Sequence, residues 1–150
     1  MEKYLEFSLG TENYAIPLLR VKEVIPVPQT TVVPNSPNYF KGIMNLRGLI
    51  ISIIDLRAKL GINTKKNEHV EEAVIIVDVD GYNIGLIVDS INHVLSFSLD
   101  KVSEIPEVKS QNNAQYIMGV YRSENSLTVL LDLKGILSFT ELSKITKRAA

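Results

Sequence analysis

Ile53-Ile54-Asp55-Leu56-Arg57-Ala58-Lys59-Leu60 returns 77 residues later, without a gap, as Leu130-Leu131-Asp132-Leu133-Lys134-Gly135-Ile136-Leu137. At the same spacing Tyr39-Phe40-Lys41-Gly42-Ile43 matches Tyr116-Ile117-Met118-Gly119-Val120. Upstream, Tyr14-Ala15-Ile16-Pro17-Leu18 resembles Tyr82-Asn83-Ile84-Gly85-Leu86 at a spacing of 68. A window that keeps Tyr, Gly, Asp and a basic residue in step marks an internal duplication. The difference of nine between the spacings falls in connecting sequence, where insertions are tolerated. The repeat predicts two related β-subdomains, about 1–62 and about 70–140, joined by the polar stretch 63–72. Each is expected to hold about five short strands, the size at which a sheet curls into a small barrel and loses its open edges.

Local patterning agrees with strands. The chain uses 15 Val and 17 Ile against 6 Ala, and β-branched residues favour pleated, half-buried surfaces. In Tyr4-Leu5-Glu6-Phe7-Ser8-Leu9 the apolar Leu5, Phe7 and Leu9 share one face, with Glu6 and Ser8 opposite. The apolar run from Ala73 closes at Asp80-Gly81, a dipeptide suited to a type I′ hairpin turn because both central residues need φ > 0. The stretch 49–56 is almost unbroken apolar sequence and reads as a strand buried on both faces. Helices are few. Asp55 and Asp132 are each placed to cap a short helix, with Gly61 placed to end the first. The tail 140–148 has helical spacing at Leu142 and Ile145. Pro26, Pro28, Pro34 and Pro37 mark a surface crossover.

Composition narrows the function. A chain of 150 residues can bury enough surface to fold without disulfides or metals. It has no cysteine and two histidines, His69 and His93, which removes thiol chemistry and the usual Cys/His zinc sites. Sixteen basic against seventeen acidic residues disfavour nucleic acid as the main partner. No apolar run reaches the ~18 residues that span a bilayer, and the start lacks the layout of a signal peptide, so a soluble cytoplasmic protein is the expectation. Asp78-Val79-Asp80-Gly81 lacks the remaining ligands of a calcium loop. No serine motif or glycine-rich phosphate loop is present, so neither catalysis nor a cofactor nor a metal is expected.

The two halves differ at one telling place. Asn45-Leu46-Arg47-Gly48 stands where the second half has Arg122-Ser123-Glu124-Asn125. With its neighbours it forms Lys41-Gly42-Ile43-Met44-Asn45-Leu46-Arg47-Gly48-Leu49-Ile50, followed by Ile53-Ile54-Asp55-Leu56-Arg57. This run resembles the signature of CheW-like chemotaxis coupling proteins. Tyr14-Ala15-Ile16-Pro17-Leu18, Val21-Lys22-Glu23-Val24-Ile25 and Gly85-Leu86-Ile87-Val88-Asp89 with Val94-Leu95 agree in order and spacing. The resemblance covers the chain from about Tyr4 to Leu137, and 150 residues favour the stand-alone adaptor over a fused form.

The resemblance implies a mainly β fold of two SH3-like five-stranded barrels with a few short helices and a C-terminal helix. It implies a non-catalytic adaptor that bridges the helical hairpin tips of chemoreceptors to the regulatory domain of a CheA-type histidine kinase. Such a protein would be a monomer alone, would alternate with the kinase in rings, and would reach the inner face of the membrane through receptors without inserting. It places Val21, Glu23, Arg47, Ile91 and Val94 in the receptor groove and Gly42, Ile43 and Met44 on the kinase face. His93 carries no role in it. Independently of the resemblance, Val21, Val24 and Ile25 crowd around Lys22 and Glu23. A strand hides only one face, so at least one of these apolar side chains should look outward, as at an interface. Glu23 is expected to pair with Arg47 across the groove floor. A nucleic-acid-binding barrel is the competing reading, and it would require clustered Arg/Lys with exposed aromatics.

Overall fold

The computed structural model describes residues 1–63, 71–105 and 116–137; the expected helix 140–148 lies outside them. Among the described residues eleven strands follow one another: β1 (Glu2–Leu9), β2 (Glu12–Pro17), β3 (Val21–Pro26), β4 (Phe40–Leu46), β5 (Leu49–Asp55), β6 (Ala73–Val79), β7 (Tyr82–Val88), β8 (Ser90–Phe97), β9 (Val102–Ser103), β10 (Ile117–Ser123) and β11 (Ser126–Leu131). Two short helices, α1 (Leu56–Leu60) and α2 (Leu133–Ile136), follow β5 and β11. The strands form one six-stranded sheet in the order β8-β1-β2-β11-β10-β9 and one five-stranded sheet in the order β3-β6-β7-β5-β4. The second sheet therefore has the expected five strands, and the first gains a sixth because the two-residue β9 pairs with β10.

The halves of the repeat exchange strands. The five-stranded sheet joins β3, β4 and β5 from before residue 62 to β6 and β7 from after residue 70. The six-stranded sheet joins β1 and β2 to β8, β9, β10 and β11. Four contacts make the exchange, the parallel β5–β7 and β11–β2 and the antiparallel β3–β6 and β1–β8, and the remaining neighbours pair antiparallel within one half. Register also corrects the spacing of the first repeat segment. Leu9 lies opposite Glu12 and Val79 opposite Tyr82, while Leu130 faces Ala15 and Ile53 faces Gly85. These pairs superpose at 70 residues for β1, β2 and β3 and at 77 for β4, β5 and α1, not at 68.

Three apolar clusters follow from this arrangement. The largest lies between the sheets, where Leu5, Phe7, Leu9 and Ile16 meet Ile54, Ile75, Val77, Ile84, Leu86 and Val88. Each sheet also curls around its own interior. Ile51, Ile53, Val74, Ile76 and Ile87 fill one, and Tyr4, Ala15, Phe97 and Leu130 fill the other. Burial, and then the nearby Glu2 and Asp132, raise the Tyr4 phenol above its ordinary value, so it stays a donor, here to Met118 Sδ at 3.5 Å.

Turns and caps form where local chemistry predicts. Asp80 and Gly81 have φ of 51° and 88°, with the Gly81 amide donating to Asp78 Oδ1 at 2.8 Å. Arg47 and Gly48 repeat the arrangement, with φ of 50° and 89° and the Gly48 amide donating to Asn45 Oδ1 at 2.9 Å. Asp55 accepts from the amides of Arg57 and Ala58, Asp132 accepts from that of Lys134, and Gly61 ends α1 at φ 71°. Tyr39 and Tyr116, repeat mates, accept at their carbonyls from the amides of Asp55 and Asp132. The Lys59 ammonium lies 4.4 Å from the first ring and 5.9 Å from the second. The strand expected at 49–56 is buried on both faces only from Ile51 to Ile54; Leu49 and Ile50 are 54% and 49% exposed, because the hairpin tip projects beyond the sheet.

A groove between two edge strands

Each sheet ends in an edge strand that faces the other sheet's half of the molecule: β3 in the five-stranded sheet and β8 in the six-stranded one. Between them lies an open groove of about 300 Å³, lined by Val24, Ile25 and Pro26 of β3, Ala73 of β6, Ile91 of β8, and the preceding Glu71 and Glu72. Its floor is apolar and its rim acidic. A larger hollow of about 570 Å³ between the β1–β2 and β10–β11 tips is lined mainly by short polar side chains such as Thr11, Asn13, Ser123 and Asn125, with no convergent apolar anchors.

Of the groove residues expected from the sequence, Ile91 lines the groove between β3 and β8, and Val94 stands on the same strand, 46% exposed. Val21 instead packs against the inter-sheet core. Val24 is 42% exposed and sits in the groove. It is the outward-looking residue that the crowding around Glu23 requires, although no motif marks it. Glu23 and Arg47 do pair, Arg47 Nη2 donating to Glu23 Oε1. Neither lines the groove floor. The pair spans the seam between β3 and β4, the two edges of one sheet, and so fixes the groove wall to its own barrel. Both side chains are substantially exposed, so the pair adds only about 0–1 kcal/mol to stability. Its effect is orientation: the positive φ of Arg47 and the carboxylate together aim the guanidinium, whose planar fork has donors left for a partner.

Gly42 is buried, while Ile43 and Met44 are half-buried, one against the inter-sheet core and the other against a barrel interior. The exposed apolar side chains of that hairpin are Leu49 and Ile50. The backbone edge at Ile43 is taken by Thr31, which pairs with it in both directions at 2.8 and 2.9 Å.

Three carboxylates are held in structural work. Asp55 and Asp132 cap helices. Asp89 is buried where the chain crosses from β7 to β8; its Oδ2 accepts from Arg57 Nη1 at 2.8 Å and from the Gly10 amide at 2.7 Å. This ties α1, beside one sheet, to the first hairpin of the other.

These features define a class: a double β-barrel of the SH3-like kind, its barrels not fully closed, with an apolar groove at the junction. The chain belongs to the CheW-like domain family, whose family model matches residues 3–141. It is 34% identical over 142 residues to the chemotaxis protein CheW of Treponema pallidum, covering 93% of this chain and 84% of that one. With CheW of Klebsiella aerogenes the identity is 31% over 147 residues, 96% of this chain and 86% of that one. The crystal structure of the scaffolding protein TtCheW from Thermoanaerobacter tengcongensis superposes with a TM-score of 0.81 at 29% identity, covering 93% of this chain and 90% of the other.

Proposed function

We propose that this chain is a non-catalytic chemotaxis adaptor, working at the cytoplasmic face of the membrane, that couples the tips of chemoreceptors to a CheA-type histidine kinase. The observation that carries the reading is the apolar groove between β3 and β8 in a chain of this family. A trough with Val24, Ile25 and Ile91 on its floor and charges at its rim suits an amphipathic helix laid lengthwise, the form of a receptor hairpin tip. The kinase regulatory domain would meet the β4–β5 hairpin, where Gly42, Ile43 and Met44 shape the strand and Leu49 and Ile50 supply exposed apolar contact. Separate surfaces let one adaptor hold both partners, raising the local concentration of each near the other. A monomer carrying two unlike surfaces can alternate with the kinase in closed rings.

The test is co-sedimentation with receptor-containing membranes and a CheA-type kinase; failure to join that complex sinks the reading. Arg47→Glu should weaken receptor binding at least tenfold, because it repels Glu23 and withdraws the guanidinium from the rim. The melting temperature should stay near wild type, and kinase binding should fall less than receptor binding, since Arg47 lies at the tip of the hairpin offered to the kinase. Equal loss of both partners with a lowered melting temperature would instead indicate misfolding.

A further inference from the structure

Glu6 lies in the middle of β1 with only 4% of its surface exposed. The register equivalence places Ile76 at its mate position in the other barrel, where it fills the interior beside Ile51, the mate of Thr128. One barrel thus completes this layer with two isoleucines. The other uses a carboxylate and a hydroxyl, Thr128 Oγ1 donating to Glu6 Oε2 at 2.6 Å. A buried carboxylate is costly unless its oxygens are engaged, so its retention calls for a role other than filling space.

The second oxygen shows what it engages. Asn92 Nδ2 donates to Glu6 Oε1 at 3.0 Å, and His93 Nε2 lies 3.8 Å from the same atom. Asn92 and His93 form a β-bulge: Val94 pairs with Leu5 and Ile91 with Phe7, so two residues of β8 stand opposite the single residue Glu6. Ile91, which lines the groove, and Val94, exposed on the same strand, flank that bulge. The opposite wall, β3, has the same register shift between Val21 and Glu23, over Ile76, but there the bulged Glu23 is held from outside by Arg47. Their mates are His93 and Glu124, and His93, exposed on the outer surface, has its Nε2 3.8 Å from Glu6 Oε1 instead.

We infer that Glu6 is a positioning residue for receptor binding: from inside the barrel it holds the Asn92-His93 bulge and thereby sets Ile91 and Val94 in the groove wall, as Arg47 holds Glu23 on the other side. The inference rests on the groove being the receptor surface. The test is the full-length double variant Glu6→Ile with Thr128→Ile, which copies the interior of the other barrel. It is expected to fold and to melt at or above the wild-type temperature. Affinity for a chemoreceptor hairpin-tip fragment should fall at least tenfold, while kinase binding stays unchanged. The amide NMR signals of Ile91, Asn92, His93 and Val94 should shift. Glu6→Gln, which keeps an acceptor for Asn92 and an amide able to donate to Thr128, should restore binding to within about threefold of wild type. Should the double variant fail to fold, Asn92→Ala cuts the same link from the exposed side and should weaken receptor binding alone. A folded double variant, or Asn92→Ala, with wild-type receptor affinity overturns the inference, as does a Glu6→Gln that loses as much as the double variant. Arg47→Glu in the same assay separates the two ideas: if it too leaves receptor binding intact, the groove reading itself has failed.

Discussion

Arg57→Ala should destabilise the protein by about 3–5 kcal/mol, which for a chain of this size lowers the melting temperature by roughly 6–20 °C. Arg57 and Asp89 are both buried, and among the described residues Asp89 Oδ1 has no hydrogen-bond partner. Removing the guanidinium leaves a carboxylate out of water with little beyond the Gly10 amide to compensate it. Replacing both partners, Arg57→Met with Asp89→Leu, should recover much of the loss, short of about 1–3 kcal/mol for the Gly10 amide that loses its acceptor. The repeat supplies a control. Lys134, the mate of Arg57, lies 3.2 Å from Asp80, but both side chains are more than half exposed. Lys134→Ala should therefore change stability by less than about 1 kcal/mol. Thermal melts of the three variants check the order, and equal losses for Arg57→Ala and Lys134→Ala would refute the account.

Gly42→Ala is the second large effect. Gly42 adopts φ 137°, and a Cβ there would stand 2.4 Å from the Thr31 carbonyl oxygen and 2.9 Å from its carbon. Those atoms are backbone, fixed by the paired hydrogen bonds between Thr31 and Ile43. The cost should be about 2–5 kcal/mol from overpacking and backbone strain together. Its mate Gly119 meets first a methyl of Val102, at 2.6 Å, and then the Ser103 oxygen at 2.8 Å. The methyl can rotate aside, the nearest backbone atom is 2.8 Å away and not 2.4 Å, and Gly119 has no positive φ to strain, so Gly119→Ala should cost less than Gly42→Ala. Urea titration of both variants tests the ordering. Any loss of kinase binding in Gly42→Ala must be read against its melting temperature, because this glycine shapes the strand whatever else meets it.

The same pair of glycines shows what is legible in the sequence and what is not. Tyr, Gly and Asp stay in step across the repeat because each meets a fixed local demand. The tyrosine carbonyl accepts from the capping residue's amide, the glycine permits a close backbone crossing, and the aspartate is the cap itself. Such demands leave local marks, and so do the Asp80-Gly81 and Arg47-Gly48 turns. The spacing of β2 to β7 reads two residues short in the sequence because a shift of two keeps every side chain on its own face. Strand exchange leaves no mark, since alternation says that a hairpin has an apolar face but not whose edge it joins. Glu6 is hidden for a related reason. Alternation places it opposite Leu5 and Phe7, yet that face too is an interior. In the groove, Arg47 is legible through its unusual place beside glycine. Val24 is only one of three candidates to face outward, and Leu49 and Ile50 read as core because an unbroken apolar run does not show where a sheet stops.

Exchange of strands between the halves also orders events at the ribosome. The β1–β2 hairpin is the first to be synthesised, but its neighbours on either side, β8 and β11, begin 81 and 109 residues after the hairpin's two strands end. At about 5–20 residues per second the wait for β8 is roughly 4–16 seconds. Meanwhile β3, β4, β5, β6 and β7 form a contiguous stretch that can complete the five-stranded sheet alone. The nascent chain thus finishes its middle first, and both walls of the groove come together only when β8 pairs with the early β1.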